Sequence, residues 1–314
     1  MHQGSRRAIF AALAANFGIA VAKFVGFLIT GAASMQAEAV HSLADTGNQA
    51  LLLWGGASSK REASVEHPFG YGRERYFWSF VVALILFSMG SLFAIYEGAQ
   101  KLRHPHEIES PAWAVGILLV GVVLEAFSFR TAIRAAEERR RGRSWWSFIR
   151  GTKNPELPVV ILEDLGALCG LLIALVGVGL AVATDDARFD AAGSVGIGVL
   201  LGAIAVVLAV EMKSLLIGEA ATPFNVAILR EVFLADGSVR RIIHMRTLHI
   251  GPDELLVAAK LEFDSSLTLR EVSRVINGVE ARVRERLPIA KIIYIEPDVY
   301  DSEEAARAGI EWNQ

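Results

Sequence analysis

Residues 157–183 read Leu-Pro-Val-Val-Ile-Leu-Glu163-Asp164-Leu-Gly-Ala-Leu-Cys-Gly-Leu-Leu-Ile-Ala-Leu-Val-Gly-Val-Gly-Leu-Ala-Val-Ala. Apart from one acidic pair, the run stays apolar for longer than the roughly 20 residues a helix needs to cross about 30 Å of hydrocarbon. Soluble domains seldom concentrate apolar residues in blocks of this length. Five further stretches meet the same criterion, near 9–30, 34–57, 77–100, 112–134 and 190–216. The expected fold class is an α-helical membrane protein, a six-span transmembrane bundle, and 53% hydrophobic residues in a 314-residue chain agree with it. The first stretch is too long for a signal-peptide core and has no convincing cleavage site, so it reads as a permanent span.

The formal charge of −3 decides little by its sum; its distribution decides more. Arg6 and Arg7 precede the first span, and Lys60, Arg61, Arg73 and Arg75 follow the second. Arg139, Arg140, Arg141, Arg143, Arg150 and Lys153 follow the fourth, whereas the opposite loops carry only Lys101, Arg103 and Arg188. By the positive-inside rule both termini, the two basic loops and the tail are cytoplasmic. The run at 139–143 reads chiefly as a lipid-headgroup contact. The single cysteine, Cys169, lies in the fifth span and supports neither an internal disulfide nor a thiolate cage. The compact length and the lack of a targeting extension point to a bacterial cytoplasmic membrane. The bilayer is the expected partner, and nothing points to nucleic acid.

From about residue 217 the composition turns mixed, dividing the chain into a transmembrane domain at 1–216, an α+β domain at 217–300 and a polar extension at 301–314. Val226, Ile228, Leu229, Val232 and Phe233 recur at helical spacing, and 240–247 reads as a strand. Leu255, Val257, Ala259, Leu261 and Phe263 alternate as one buried face of a second strand requires. Thr268 and Glu271 form a capping-box pattern, opening a helix with Val272, Val275, Ile276, Val279 and Val283 on one face. A short strand at 292–295 closes the order αββαβ, a ferredoxin-like layer. So small a domain gains stability by pairing with a copy of itself, so a homodimer is expected.

The chemistry lies in the second and fifth spans. His41 and Asp45 are four apart in Glu38-Ala-Val-His41-Ser-Leu-Ala-Asp45-Thr-Gly-Asn48-Gln49, hence on one helix face, and Asn48 extends the stripe. Ionisable groups at membrane depth face a bundle interior or a wet cavity. Imidazole and carboxylate are a partial ligand set for zinc; a structural hydrogen-bonded pair explains the spacing equally well. Glu163 and Asp164 are adjacent, about 100° apart around the helix, so they divide between a central site and a neighbouring helix or water. Either a metal or a proton offsets the cost of burying them.

The motifs Ala-Val-His41-Ser-Leu-Ala-Asp45, His67-Pro-Phe-Gly-Tyr-Gly-Arg73, Tyr96-Glu97-Gly98 and Leu215-Leu-Ile-Gly-Glu219, in that order, resemble the cation diffusion facilitator family. The Leu-Glu-Asp spelling at 162–164 resembles the branch that includes mitochondrial zinc exporters of animals. The resemblance covers residues 9 to about 298 and implies a homodimer exchanging cytoplasmic metal for protons. It implies a tetrahedral site built from His or Asp with Asp four residues later on both the second and fifth spans. This sequence departs from that pattern at Val160, which cannot ligate. The remaining metal ligands are His41, Asp45 and Asp164, with water, Asn48 or Glu163 for the fourth position. The expected cargo is zinc, with manganese, cobalt and cadmium as further candidates because oxygen-rich sites admit harder ions. No resident cofactor and no enzymatic step are expected. The rival readings are an intramembrane metal-dependent hydrolase with Glu163 as general base, and a non-transporting member of the fold.

Weaker metal candidates are His67, which more readily shapes its loop with Gly70 and Gly72, and His244, His249 and Glu296 in the tail. Asn16 and Lys23 share a face of the first span, where Lys23 snorkels or pairs with an acid such as Glu163. Glu125 reads as a supporting or proton-path residue. Gly166 with Gly170, and Gly198 with Gly202, have the four-residue spacing of close helix approach.

Overall fold

The computed structural model describes residues 3–31, 33–105, 108, 111–140 and 142–300; the side chains of 3–16, 33, 34, 38 and 138 lie outside that description. The extension expected at 301–314, the side chains of Arg6, Arg7, Asn16 and Glu38, and residue Arg141 therefore fall outside the described residues. The chain divides into two compact units, 1–59 with 74–213 and 60–73 with the residues from 214 onward.

The first unit is helical: α1 (Gln3–Thr30), α2 (Ala33–Ser58), α3 (Glu74–Ile85), α4 (Phe93–Arg103), α5 (Pro111–Arg140), α6 (Trp145–Gly151), α7 (Glu156–Thr184) and α8 (Arg188–Ile217). A π-helical segment, Leu86–Leu92, joins α3 to α4 without a break. Among the described residues four stretches are long and apolar enough to cross a membrane: Glu74–Arg103, Pro111–Glu137, Glu156–Thr184 and Arg188–Ile217. α1 shows a shorter apolar stretch at Phe17–Thr30. α2 is long enough, at 26 residues, but Gln36, His41, Asp45, Asn48 and Gln49 lower its mean hydropathy. Counting α3, the π segment and α4 as one, six long helical stretches stand among the described residues of this unit.

α1 packs on α2 and α5, α2 on α3 and α7, and α5 on α7. Leu86, Leu118, Leu171, Leu201 and Leu208 belong to the shared core. Small residues set the closest approach. A Cβ added to Gly198 or Gly202 would lie 2.8 Å from the Ser91 carbonyl or 2.7 Å from its hydroxyl, so α8 accepts the π segment only through glycine. One at Gly166 would meet Ile204 Cδ1 at 2.9 Å.

The second unit holds α9 (Pro223–Leu234), β1 (Val239–Gly251), β2 (Glu254–Phe263), α10 (Leu269–Arg286) and β3 (Ala290–Asp298), the expected αββαβ order. The sheet order is β1-β2-β3, antiparallel between β1 and β2 and parallel between β2 and β3. Burial along β2 alternates at every residue, with Leu255, Val257, Ala259, Leu261 and Phe263 inside. They pack with Leu229 and Phe233 of α9 and Val279 and Val283 of α10. Pro223 at the start of α9 follows the Thr222 cap, where the missing N–H costs nothing. The capping box of α10 is present in both directions.

The connection at 60–73 packs within this second unit. Gly70 has φ +80 and makes the turn. Gly72 is small for a different reason: a Cβ there would lie 2.7 Å from the Ile250 carbonyl at the end of β1.

Candidate metal site

α2 carries a stripe of buried polar groups. His41 and Asn48 are fully buried, and His41 Nε2 stands 3.5 Å from Asp45 Oδ2, one helical turn away. Neither ring nitrogen of His41, nor Asp45 Oδ1, nor Asn48 Oδ1 has a hydrogen-bond partner among the described residues. Buried polar atoms are almost always paired, so three successive members of one stripe left unsatisfied need an explanation. The π segment lies against this stripe: a Cβ on Gly90 would be 3.9 Å from His41 Nδ1.

The acidic pair of α7 divides as its 100° offset requires. Glu163 Oε1 accepts from Asn48 Nδ2 of α2 at 2.7 Å, while Asp164 Oδ2 accepts from Ser128 Oγ of α5 at 3.0 Å. Both still line one cleft, together with Ser42, Asp45, Gln49 and Glu125. Lys23 of α1, fully buried, donates to Ser42 Oγ at 2.7 Å, and its ammonium lies 3.7 Å from Glu125 Oε1. Glu125, rather than the Glu163 considered from sequence, is the carboxylate placed beside Lys23. Val160 packs with the apolar core and contributes no donor atom.

No group of three His, Cys, Asp or Glu among the described residues stands close enough to hold a metal ion. The structure therefore brings Asp45, Glu163 and Asp164 to one cleft and His41 to within 3.5 Å of Asp45, without drawing them into a coordination shell.

The weaker candidates have other occupations. His67 stacks on Tyr71 with ring centroids 4.6 Å apart, and the Arg61 guanidinium lies 3.7 Å over the Tyr71 ring. The His67 carbonyl accepts from Ser64 and Gly70, so the residue shapes its loop. In the sheet, His244 and Glu296 flank Lys260 on neighbouring strands. Lys260 Nζ is 3.1 Å from Glu296 and 2.7 Å from Asp298, so an ammonium of the chain itself balances these carboxylates. Burial, and then Lys260, lower the pKa of His244; the hydrogen bonds to Asp298 and Glu296 raise that of Lys260. His249 is buried, with Nδ1 3.4 Å from the Gly251 carbonyl.

Sequence reasoning gave α5 little part in the site. The signal was present as Glu125 and Ser128 three residues apart, but the surrounding apolar residues conceal which face turns inward.

Residues 9–217 match the cation efflux transmembrane domain, and 221–298 match the cation efflux protein cytoplasmic domain. The mitochondrial proton-coupled zinc antiporter of Homo sapiens is 32% identical over 270 residues, covering 85% of this chain and 48% of its own length. Metal tolerance protein C4 of Arabidopsis thaliana is 30% identical over 273 residues, covering 85% of this chain and 59% of its own. Magnetosome protein MamB of Magnetospira sp. (strain QH-2) is 24% identical over 287 residues, covering 86% and 89%. The chain spans about half the length of the first two of these relatives. With both domains matched in order, over residues 9–217 and 221–298, the chain belongs to the cation efflux family, the cation diffusion facilitators.

Proposed function

We propose that this multi-pass membrane protein is a secondary active carrier that exports a divalent transition metal, zinc before others, in exchange for protons. The observation that carries the reading is the row of unsatisfied buried polar atoms on His41, Asp45 and Asn48, beside a cleft that also holds Glu163 and Asp164. Buried carboxylates without sufficient partners carry a desolvation cost that a cation or a proton offsets, and the same atoms serve both cargoes in turn. His41, Asp45 and Asp164 bind the metal in this reading, with Asn48, Glu163 or water completing the shell. The names of the human and Arabidopsis relatives, a proton-coupled zinc antiporter and a metal tolerance protein, support the cargo and the coupling. Three ligands and an open position suit an ion that must leave again. The family is one of transporters, which leaves the hydrolase reading without support.

The charge distribution supports a cytoplasmic placement of both termini and of the C-terminal domain. That domain also supports a homodimer: Phe224, Leu269, Tyr294 and Val299 are exposed at 65%, 83%, 58% and 74% on a unit of modest size. The test is metal-dependent proton flux in proteoliposomes, with zinc, manganese, cobalt and cadmium offered against a pH gradient. Flux by the parent, absent from Asp45→Ala and Asp164→Ala, is the expected result. No flux with any of the four metals from folded protein refutes the carrier.

A further inference from the structure

We propose that Glu125 of α5 is a ligand for the transported ion, supplying the carboxylate that Val160 does not. The inference rests on the carrier reading above. Val160 lies one turn before Asp164 and packs with the apolar core, so α7 offers a single oxygen ligand in that register. A divalent ion held by His41, Asp45 and Asp164 has a position to fill. Glu125 enters the same cleft as Asp45 and Asp164 with its side chain 13% exposed.

The placement of Glu125 is fixed by its helix. Gly121, Glu125 and Ser128 are spaced by four and three along α5 and share one face. Ser128 donates to Asp164, and a Cβ on Gly121 would meet Leu171 at 3.1 Å, so this face is pressed against α7. On the other side Val120, Val123 and Phe127 are 60%, 69% and 74% exposed, the pattern of a lipid-facing stripe. Turning Glu125 away from the cleft would carry an ionised group into hydrocarbon.

Lys23 is the cation that stands beside Glu125. Its buried ammonium is anchored by Ser42, the residue after His41, and lies 3.7 Å from Glu125 Oε1. It is a tethered cation at the rim of the cleft, beside the carboxylate an arriving ion would use. The ion and the ammonium repel each other and compete for Glu125, so loading transfers the carboxylate from lysine to cargo. The fully buried, unsatisfied atoms of His41 and Asn48 mark the adjoining wall as a ligand site independently of the acidic residues.

The experiment is zinc titration by calorimetry on the full-length protein in detergent, with thermal melts to verify folding. Four proteins are compared: the parent, Asp45→Ala, Glu125→Gln, and the double variant Glu125→Gln with Val160→Asp. The expected result is at least a roughly tenfold loss of affinity in Glu125→Gln, since even outer partners of a metal site cost about 10- to 100-fold. The double variant should recover most of that loss, because a carboxylate returns one turn before Asp164, while the melting temperature of Glu125→Gln stays close to that of the parent. Unchanged affinity in Glu125→Gln, with binding lost in Asp45→Ala, overturns the inference and leaves the carrier standing. Failure of the parent to bind zinc overturns both.

Discussion

The membrane cleft and the outer face of the C-terminal sheet contain similar residues in opposite balance. In the cleft Asp45, Glu125, Glu163 and Asp164 gather out of bulk water, and the ammonium beside them is that of Lys23. On the sheet Lys260 stands between Glu296 and Asp298, Arg240 meets Asp264 at 2.5 Å, and Arg241 meets Glu262 at 3.4 Å. Carboxylates matched by the chain's own cations complete a fold. Carboxylates in excess, when buried, carry a desolvation cost that a cation or a proton would offset.

That contrast can be broken most forcefully in the cleft. Asp45→Ala or Asp164→Ala should reduce metal-dependent proton flux by about 100-fold or more, the upper end of what even outer-partner losses cost; substantial flux in either variant would erase the contrast. In the tail, where acids serve structure, Thr268→Ala removes a cap whose side chain accepts from Glu271 N–H. It should lower stability by about 1 kcal/mol in denaturant melts of the full chain and leave flux untouched. Lys260→Met sharpens the comparison: with the ammonium gone, His244, Glu296 and Asp298 face an unfilled position. A small zinc-dependent rise in melting temperature should then appear in a background already carrying Asp45→Ala. The smallest effect is an acid one. Hydrogen bonds from Ser266, then from Arg240, lower the Asp264 pKa from 3.8 to about 2. Its contribution to stability is therefore complete above the ordinary value and lost as pH falls from 3.8 towards 2. Asp264→Asn should flatten the melting curve's dependence on pH across that window.

Much of the fold was legible because its signals are local. The alternation from Leu255 to Phe263 reappears residue by residue as burial, and Thr268 with Glu271 opens α10 as the capping pattern requires. Strand ends were less legible: β1 and β3 extend past the expected 240–247 and 292–295, because pairing with β2 continues where the hydrophobic pattern fades. The π segment has no sequence signature of its own, although Ser91 within it is seated closely against Gly198 and Gly202. The short helix α6 was overlooked, although its Ser144 cap accepts from Ser147 N–H as such caps do. In the cleft, the i, i+4 rule found the α2 stripe, and adjacency predicted the split roles of Glu163 and Asp164. What the sequence could not give is the rotation of α5, since a helix apolar nearly all round does not announce its inner face.

The Lys260 ammonium is part of the polymer, so its stoichiometry is one per chain whatever the surroundings supply. A chelator cannot strip it, and scarcity cannot empty it. The charge balance at Glu296 and Asp298 is therefore built into the chain and does not depend on an ion from outside. In the carrier proposed above, by contrast, the balancing charge of the cleft carboxylates would arrive by diffusion and leave the same way.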